Sequence, residues 1–235
     1  MKRTIVLAAI CVLASAASAL AQGLSFKSAE LSLSMGETSF GSKPFTIGQP
    51  QTSTPITGKM QLNSSTMYEA RINFYSRDRL GAEAMYGYQY AGVTFTTNSP
   101  SSFSVPLQIH TIGVNLLYFP IGKANSTWRP FVQLGGGAVI YRPSTGGAAA
   151  AKDPLQGNFD TFYETSRASG NVGGGLKRPI TNTIGIRADA GFVLTRVPTF
   201  GLPESSGTPS ATVLPVGGLV HSVRASAGLI FYLGK

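Results

Sequence analysis

The strongest constraint on this chain is a two-residue alternation that gives its long extended segments one apolar parity and one parity carrying the internal charges. Leu80, Ala82, Ala84, Tyr86, Tyr88 and Tyr90 share a parity, against Gly81, Glu83, Met85, Gly87 and Gln89. Successive side chains of a strand point to opposite faces, so this stretch is a strand with one apolar and one polar face. The pattern recurs with Ile184, Ile186, Ala188, Ala190, Phe192 and Leu194 opposed to Gly185, Arg187, Asp189, Gly191 and Thr195. A third instance runs through Val223, Ala225, Ala227, Leu229, Phe231 and Leu233.

Carried along the chain, the alternation predicts eight strands, near 26–37, 66–76, 80–92, 105–119, 129–142, 168–178, 184–197 and 219–234. The connections alternate in length. Those after the second, fourth and sixth strands are brief (Arg77-Asp78, 120–128 and 179–183). The others, 38–65, 93–104, 143–167 and 198–218, are long and rich in Pro, Gly, Ser and Thr. A strand of about 12 residues at roughly 3.3 Å each, tilted about 45°, covers roughly 28 Å. An apolar band about 25 Å tall is what a membrane barrel presents to lipid. No stretch after the N-terminus approaches the run of about 20 apolar residues needed for a membrane-spanning helix, so spanning must be done by strands. The expected fold is all-β, an eight-stranded antiparallel up-and-down transmembrane barrel.

Parity places eight charges inside that barrel: Glu30, Glu69, Glu83 and Asp189 with Arg71, Lys177, Arg187 and Arg224. Four acids meet four bases. A basic charge facing lipid at the midplane costs about 2–4 kcal/mol, whereas an enclosed charge is tolerable when paired. Outward charges are expected only at strand ends, at Lys27, Arg142, Arg178 and Arg196, where long side chains reach the head groups. Aromatic residues at the short-turn ends, Phe74, Tyr75, Tyr118, Phe119, Trp128, Phe231 and Tyr232, suit the same interface.

The N-terminus reads as an export signal: Lys2 and Arg3, an apolar core from Ile5 to Leu13, and Ala19-Leu20-Ala21 as a cleavage site. Residues 1–21 are then signal peptide and 22–235 the barrel domain, with both mature ends and the short turns in the periplasm. The sole cysteine, Cys11, lies in the signal, which leaves the mature chain no thiol chemistry. No cofactor and no metal site is expected. The chain carries a net charge of +9. Arg77, Arg79, Lys123, Arg129, Arg178 and Lys235 against Asp78 place much of the excess at the short-turn side. Outer-membrane lipids are the natural partners of that surface. Nothing interleaves aromatic and basic residues on one face in a way that suits nucleic acid.

Two triple-glycine runs, Gly135-Gly136-Gly137 and Gly173-Gly174-Gly175, would pair if the hairpin closed around residue 154. They read as a site of strong sheet bending, with close approach of a lipid chain or a second barrel as the sharper alternative. The two histidines, His110 and His221, fall on the outward parity. His221-Ser222 invites comparison with a membrane acyl hydrolase, but adjacent strand residues point oppositely and no acid shares the outward face nearby. No catalytic residue is assigned.

The signal, the alternating strands, the turn asymmetry and the closing strand Ala227-Gly228-Leu229-Ile230-Phe231-Tyr232-Leu233 together resemble the OmpA-type and OmpX-type small outer-membrane barrels. The resemblance covers nearly all of the mature chain and rests on pattern. It implies residence in the cell outer membrane and insertion by the outer-membrane assembly machinery. Two features depart from it. No peptidoglycan-binding region follows the last strand, and the chain ends in Gly234-Lys235, with Phe231 and Tyr232 slightly upstream of the usual terminal aromatic. The leading expectation is a noncatalytic barrel with a salt-bridged lumen whose loops 38–65, 93–104, 143–167 and 198–218 contact an extracellular ligand. A narrow channel for small solutes or ions is the alternative. A lipid-modifying enzyme and a soluble lipocalin-like carrier rank lower, the latter because it would need an apolar lumen.

Overall fold

Strict alternation of buried and exposed positions from Ile184 to Arg196 marks a strand whose two faces meet different surroundings. A computed structural model describes residues 28–47, 56–97, 102–121, 127–145, 162–202, 214 and 216–233. Within them the chain forms ten strand segments: β1 (Ser28–Phe40), β2 (Ser42–Ile47), β3 (Ile56–Leu62), β4 (Ser65–Arg77), β5 (Leu80–Thr97), β6 (Ser102–Tyr118), β7 (Arg129–Pro143), β8 (Thr165–Pro179), β9 (Ile184–Arg196) and β10 (Leu219–Leu233). They build eight staves. β1 runs on into β2 across Gly41, whose amide donates to the His221 carbonyl at 2.9 Å. β3 runs on into β4 across Asn63 and Ser64, and the Asn63 amide donates to the Gly92 carbonyl at 2.7 Å.

Every stave pairs antiparallel with its neighbours, and β1 closes the ring by pairing with both β4 and β10. Closure leaves no free edge in the ring, which is how a sheet satisfies all its backbone groups without water. The short turns and both described chain ends gather at one rim; the strand ends that lead into the long connections lie at the other.

The strands extend further toward the long-connection rim than the periodicity indicates. β2, β3 and the far ends of β5 and β6 occupy much of the predicted loops 38–65 and 93–104. On the β3–β4 stave the reason is a bulge. Met67 faces Gln89 while Leu62 faces Val93, so five steps on one side match four on the other. One extra residue reverses the parity, and an alternation read in a single phase stops there.

The two triple-glycine runs lie on adjoining strands but not in register with each other. Gly135 faces Asn171 and Gly173 faces Gln133, so the hairpin is set two residues from the expected closure. Each run instead nests against its other neighbour, Gly137 opposite Gly113 and Gly173 opposite Gly191. A Cβ on Gly137 would stand 2.0 Å from the Ile112 carbonyl oxygen, and one on Gly175 would stand 2.3 Å from that of Ala188. The inward glycines therefore allow a close strand approach that no side chain could share.

Candidate functional site

Among the described residues, chemistry-bearing side chains converge in the interior, which is layered along the barrel axis. At the short-turn rim Tyr75, Leu117, Phe119 and Phe131 form a buried cluster. The Arg129 guanidinium lies 3.8 Å from the Phe119 ring centroid and donates to the Asp78 carbonyl at 2.7 Å, closing that rim. Tyr75 and Phe119 are thus lumen residues and not interface residues as their sequence position suggested. Tyr232 also sits on the inward parity, facing Glu30 across the β1–β10 ladder. Its hydroxyl occupies the space above Gly185.

Beside this cluster Lys177 donates to Glu30 at 2.7 Å and to the Tyr75 hydroxyl at 2.6 Å, while that hydroxyl donates to Glu30 at 2.5 Å. The middle layer holds the other six charges. Arg71, with no exposed surface, donates to Glu69, to both carboxylate oxygens of Asp189 at 3.1 Å each, and to Ser34 and Ser226. Arg187 donates to Glu83, to Asp189 at 2.8 Å and to Gln133 at 3.2 Å. Arg224 reaches Glu69 at 3.3 Å. All eight parity-assigned charges are buried and ion-paired.

Uncharged residues complete the network. Asn115 donates to Glu83 at 2.8 Å and accepts from Asn171, and Ser226 donates to Glu69 at 3.1 Å. Sequence reasoning did not single these out, although they share the inward parity that would have found them. Dense pairing of the carboxylates is what makes an enclosed ionic layer tolerable, because each carboxylate needs several donors once water is excluded; on the donor side the Arg71 and Arg224 Nε–H groups have no hydrogen-bond partner.

Toward the long-connection rim the interior turns apolar. Val93, Phe95, Leu107, Ile109, Val139 and Val193 line it from the walls, and Phe162, Val197, Phe200, Leu214 and Val216 fill it from the connections. Phe200 is fully buried and stacks on Phe162, ring centroids 4.7 Å apart and 9° from parallel. This plug was invisible in the alternation, because its residues belong to no strand.

Outside, Trp128 is half exposed with the Arg178 guanidinium 4.9 Å from its ring centroid. Arg142, Arg196 and Phe231 also lie on the outward face, Arg142 within 3.8 Å of Glu164. Glu37 is exposed on the outward parity of β1, so the outward charges are not all basic. Near the long-connection rim, Tyr86 hydrogen-bonds His110 at 2.8 Å and Tyr88 packs against the same ring. His221 faces outward over Gly41, while Ser222 is buried and donates to the Val193 carbonyl. Lys27, Lys123 and Lys235 lie outside the described residues, as does the signal segment.

Comparison with known families matches residues 7–216 to the outer membrane protein beta-barrel domain. The chain belongs to that family. The outer membrane protein beta-barrel domain explains the outward apolar band: it is the surface that contacts lipid. The chain is similar in fold to the outer-membrane protein AlkL in lipid bilayers, at 13% identity over 90% of this chain and 93% of that one, TM-score 0.50. It is also similar to neisserial surface protein A, at 13% identity over 86% and 96%, TM-score 0.45. A third is the outer membrane protease OmpT of Escherichia coli, at 10% identity over 89% and 99%, TM-score 0.46. Identities this low speak for the fold alone. No curated protein sequence matches the chain. As a small outer membrane barrel of this family, the protein is a transmembrane component of the cell envelope.

Proposed function

We propose that this protein is a noncatalytic outer-membrane barrel with a closed lumen, which holds a surface built from its long connections and strand extensions on the outside of the cell. The observation that carries this reading is the continuous filling of the interior by aromatic, ionic and apolar layers. An eight-stranded ring is just wide enough for side chains to fill. Here the ionic layer is cross-linked from wall to wall, so ions would have to break several buried pairs to pass. The outward separation of His221 from Ser222 weighs against acyl transfer.

Residues 1–21 act as the export signal in this proposal, and the short-turn rim with both ends of the mature chain faces the periplasm. The outer-membrane assembly machinery inserts the chain. Arg142, Arg178, Arg196, Trp128 and Phe231 anchor it at the two lipid interfaces, and an extracellular ligand meets the long connections.

Reconstitution into planar bilayers tests the closed lumen. No steady conductance is expected; a conductance altered by Arg187→Gln or Glu83→Gln would replace this reading with that of a narrow channel. Envelope lipid composition should be unchanged by His221→Ala and Ser222→Ala, and a change would reinstate the enzyme. Protease cleavage within the long connections on intact cells would support the orientation.

A further inference from the structure

Between the ionic layer and the apolar plug lies a small, partly enclosed chamber of about 20 Å³. Among the residues that line it, three carry a polar atom with no hydrogen-bond partner: the Gln89 side-chain oxygen, the Tyr141 hydroxyl and the Arg224 Nε–H. All three side chains are more than nine-tenths buried. An unpaired buried polar group is costly, so three on the residues of one chamber point to a ligand that answers them.

Size and charge define that ligand. A chamber needs roughly 10–15 Å³ of this kind of space to hold one water molecule, and this one has little more. Arg224 already pairs with Glu69, and the enclosed acids and bases balance, so no counter-ion is called for. The ligand must accept from Arg224 and donate to Gln89, which a single water does.

Gly87 makes the room. Most inward glycines here face a neighbouring carbonyl too close for any Cβ, as at Gly137. A Cβ on Gly87 would meet only ordinary contacts, 3.6 Å to Thr111 Cβ and 3.7 Å to Glu69 Cγ. Its missing side chain is therefore not required by strand approach. It opens the chamber wall.

We propose that Gly87, Gln89, Tyr141 and Arg224 form a binding site for one internal water molecule, with Gly87 providing the space and Arg224 and Gln89 the donor and acceptor. The ionic layer below and the apolar plug above close the site on both sides, so the water exchanges slowly with solvent. It completes the hydrogen bonding of Arg224, the member of the ionic layer nearest the plug.

The test is solution NMR of the whole barrel in lipid nanodiscs. A water cross-peak to the Arg224 Nε–H is expected in the wild-type protein, with oxygen-17 relaxation dispersion reporting at least one long-lived water. In Gly87→Ala the cross-peak should vanish while the heat-shifted gel migration of the folded barrel is retained. Gln89→Leu, which removes the acceptor and keeps the bulk, provides the same readout should Gly87→Ala not fold. Absence of the wild-type cross-peak, or its persistence in a folded variant, would overturn the proposal. So would a saturable shift of the Arg224 resonance on bromide titration, which would assign the chamber to an anion.

Discussion

Arg71 meets Asp189 end-on through two hydrogen bonds of 3.1 Å each, from strands separated in the ring by β1 and β10. The two residues are 118 positions apart in the chain. Neither has solvent to fall back on, so the pair holds the lumen as a unit. Removing one member leaves an uncompensated buried charge, which costs about 3–5 kcal/mol. Arg71→Leu and Asp189→Leu should each destabilise the barrel by about that amount. The double variant should lose distinctly less than the sum, because the residues are coupled. Urea unfolding in vesicles, followed by the fluorescence of the sole tryptophan, Trp128, measures all three.

The glycines of β7 and β8 separate by the space around them. Gly137→Ala would drive a methyl group into the Ile112 carbonyl, whereas Gly170 has nothing within 4 Å of a built Cβ. The first variant should fail to acquire the heat-shifted migration of a folded barrel. Gly170→Ala should migrate like the wild-type protein and change stability by less than about 0.5 kcal/mol.

Phe200 holds a backbone φ of 52°, a left-handed conformation that a bulky residue adopts only when its surroundings enforce it. Its stacking on Phe162 is that enforcement. Phe200→Ala should lose about 3 kcal/mol of plug packing and make residues 197–202 sensitive to added protease. Bilayer conductance should stay absent, because the ionic layer beneath still closes the lumen. Conductance in this variant would show that the plug alone seals the barrel.

Arg178 rests on Trp128 at the short-turn rim, exposed, and is therefore worth far less than an enclosed arginine. Arg178→Ala should cost about 0.5–1 kcal/mol and shift the Trp128 emission. A loss as large as that of Arg71→Leu would mean the contact is sealed from water.

How far the sequence reaches can be seen strand by strand. β9 is readable outright: its thirteen residues alternate without a fault, because lipid lies on one side and the ionic layer on the other. β3 is not, since the extra residue at Asn63 and Ser64 reverses the parity. Above the bulge the inward residues, such as Met60, Leu62 and Phe95, turn apolar, so polarity no longer marks the inner face.

The same division runs through the interior. Parity alone collected the eight buried charges, because a charge in lipid is expensive whatever it pairs with. The partner of each charge was another matter. That Arg71 reaches Asp189 and Lys177 reaches Glu30 depends on which staves face each other across the closed ring. The aromatic rim showed this limit directly, as Tyr75, Phe119 and Tyr232 were placed by proximity to strand ends, yet pack or face inward.

From the sequence came the membrane barrel, its strand faces and the sign balance of its lumen, all fixed by local alternation against a single large energy, the cost of desolvated charge. Only the tertiary structure decided the ion pairs, the apolar plug carried by Phe162, Phe200 and Leu214, and the chamber beside Gly87. Each of these brings together residues far apart in the chain, and curvature and loop return, which set their distances, leave no periodic mark.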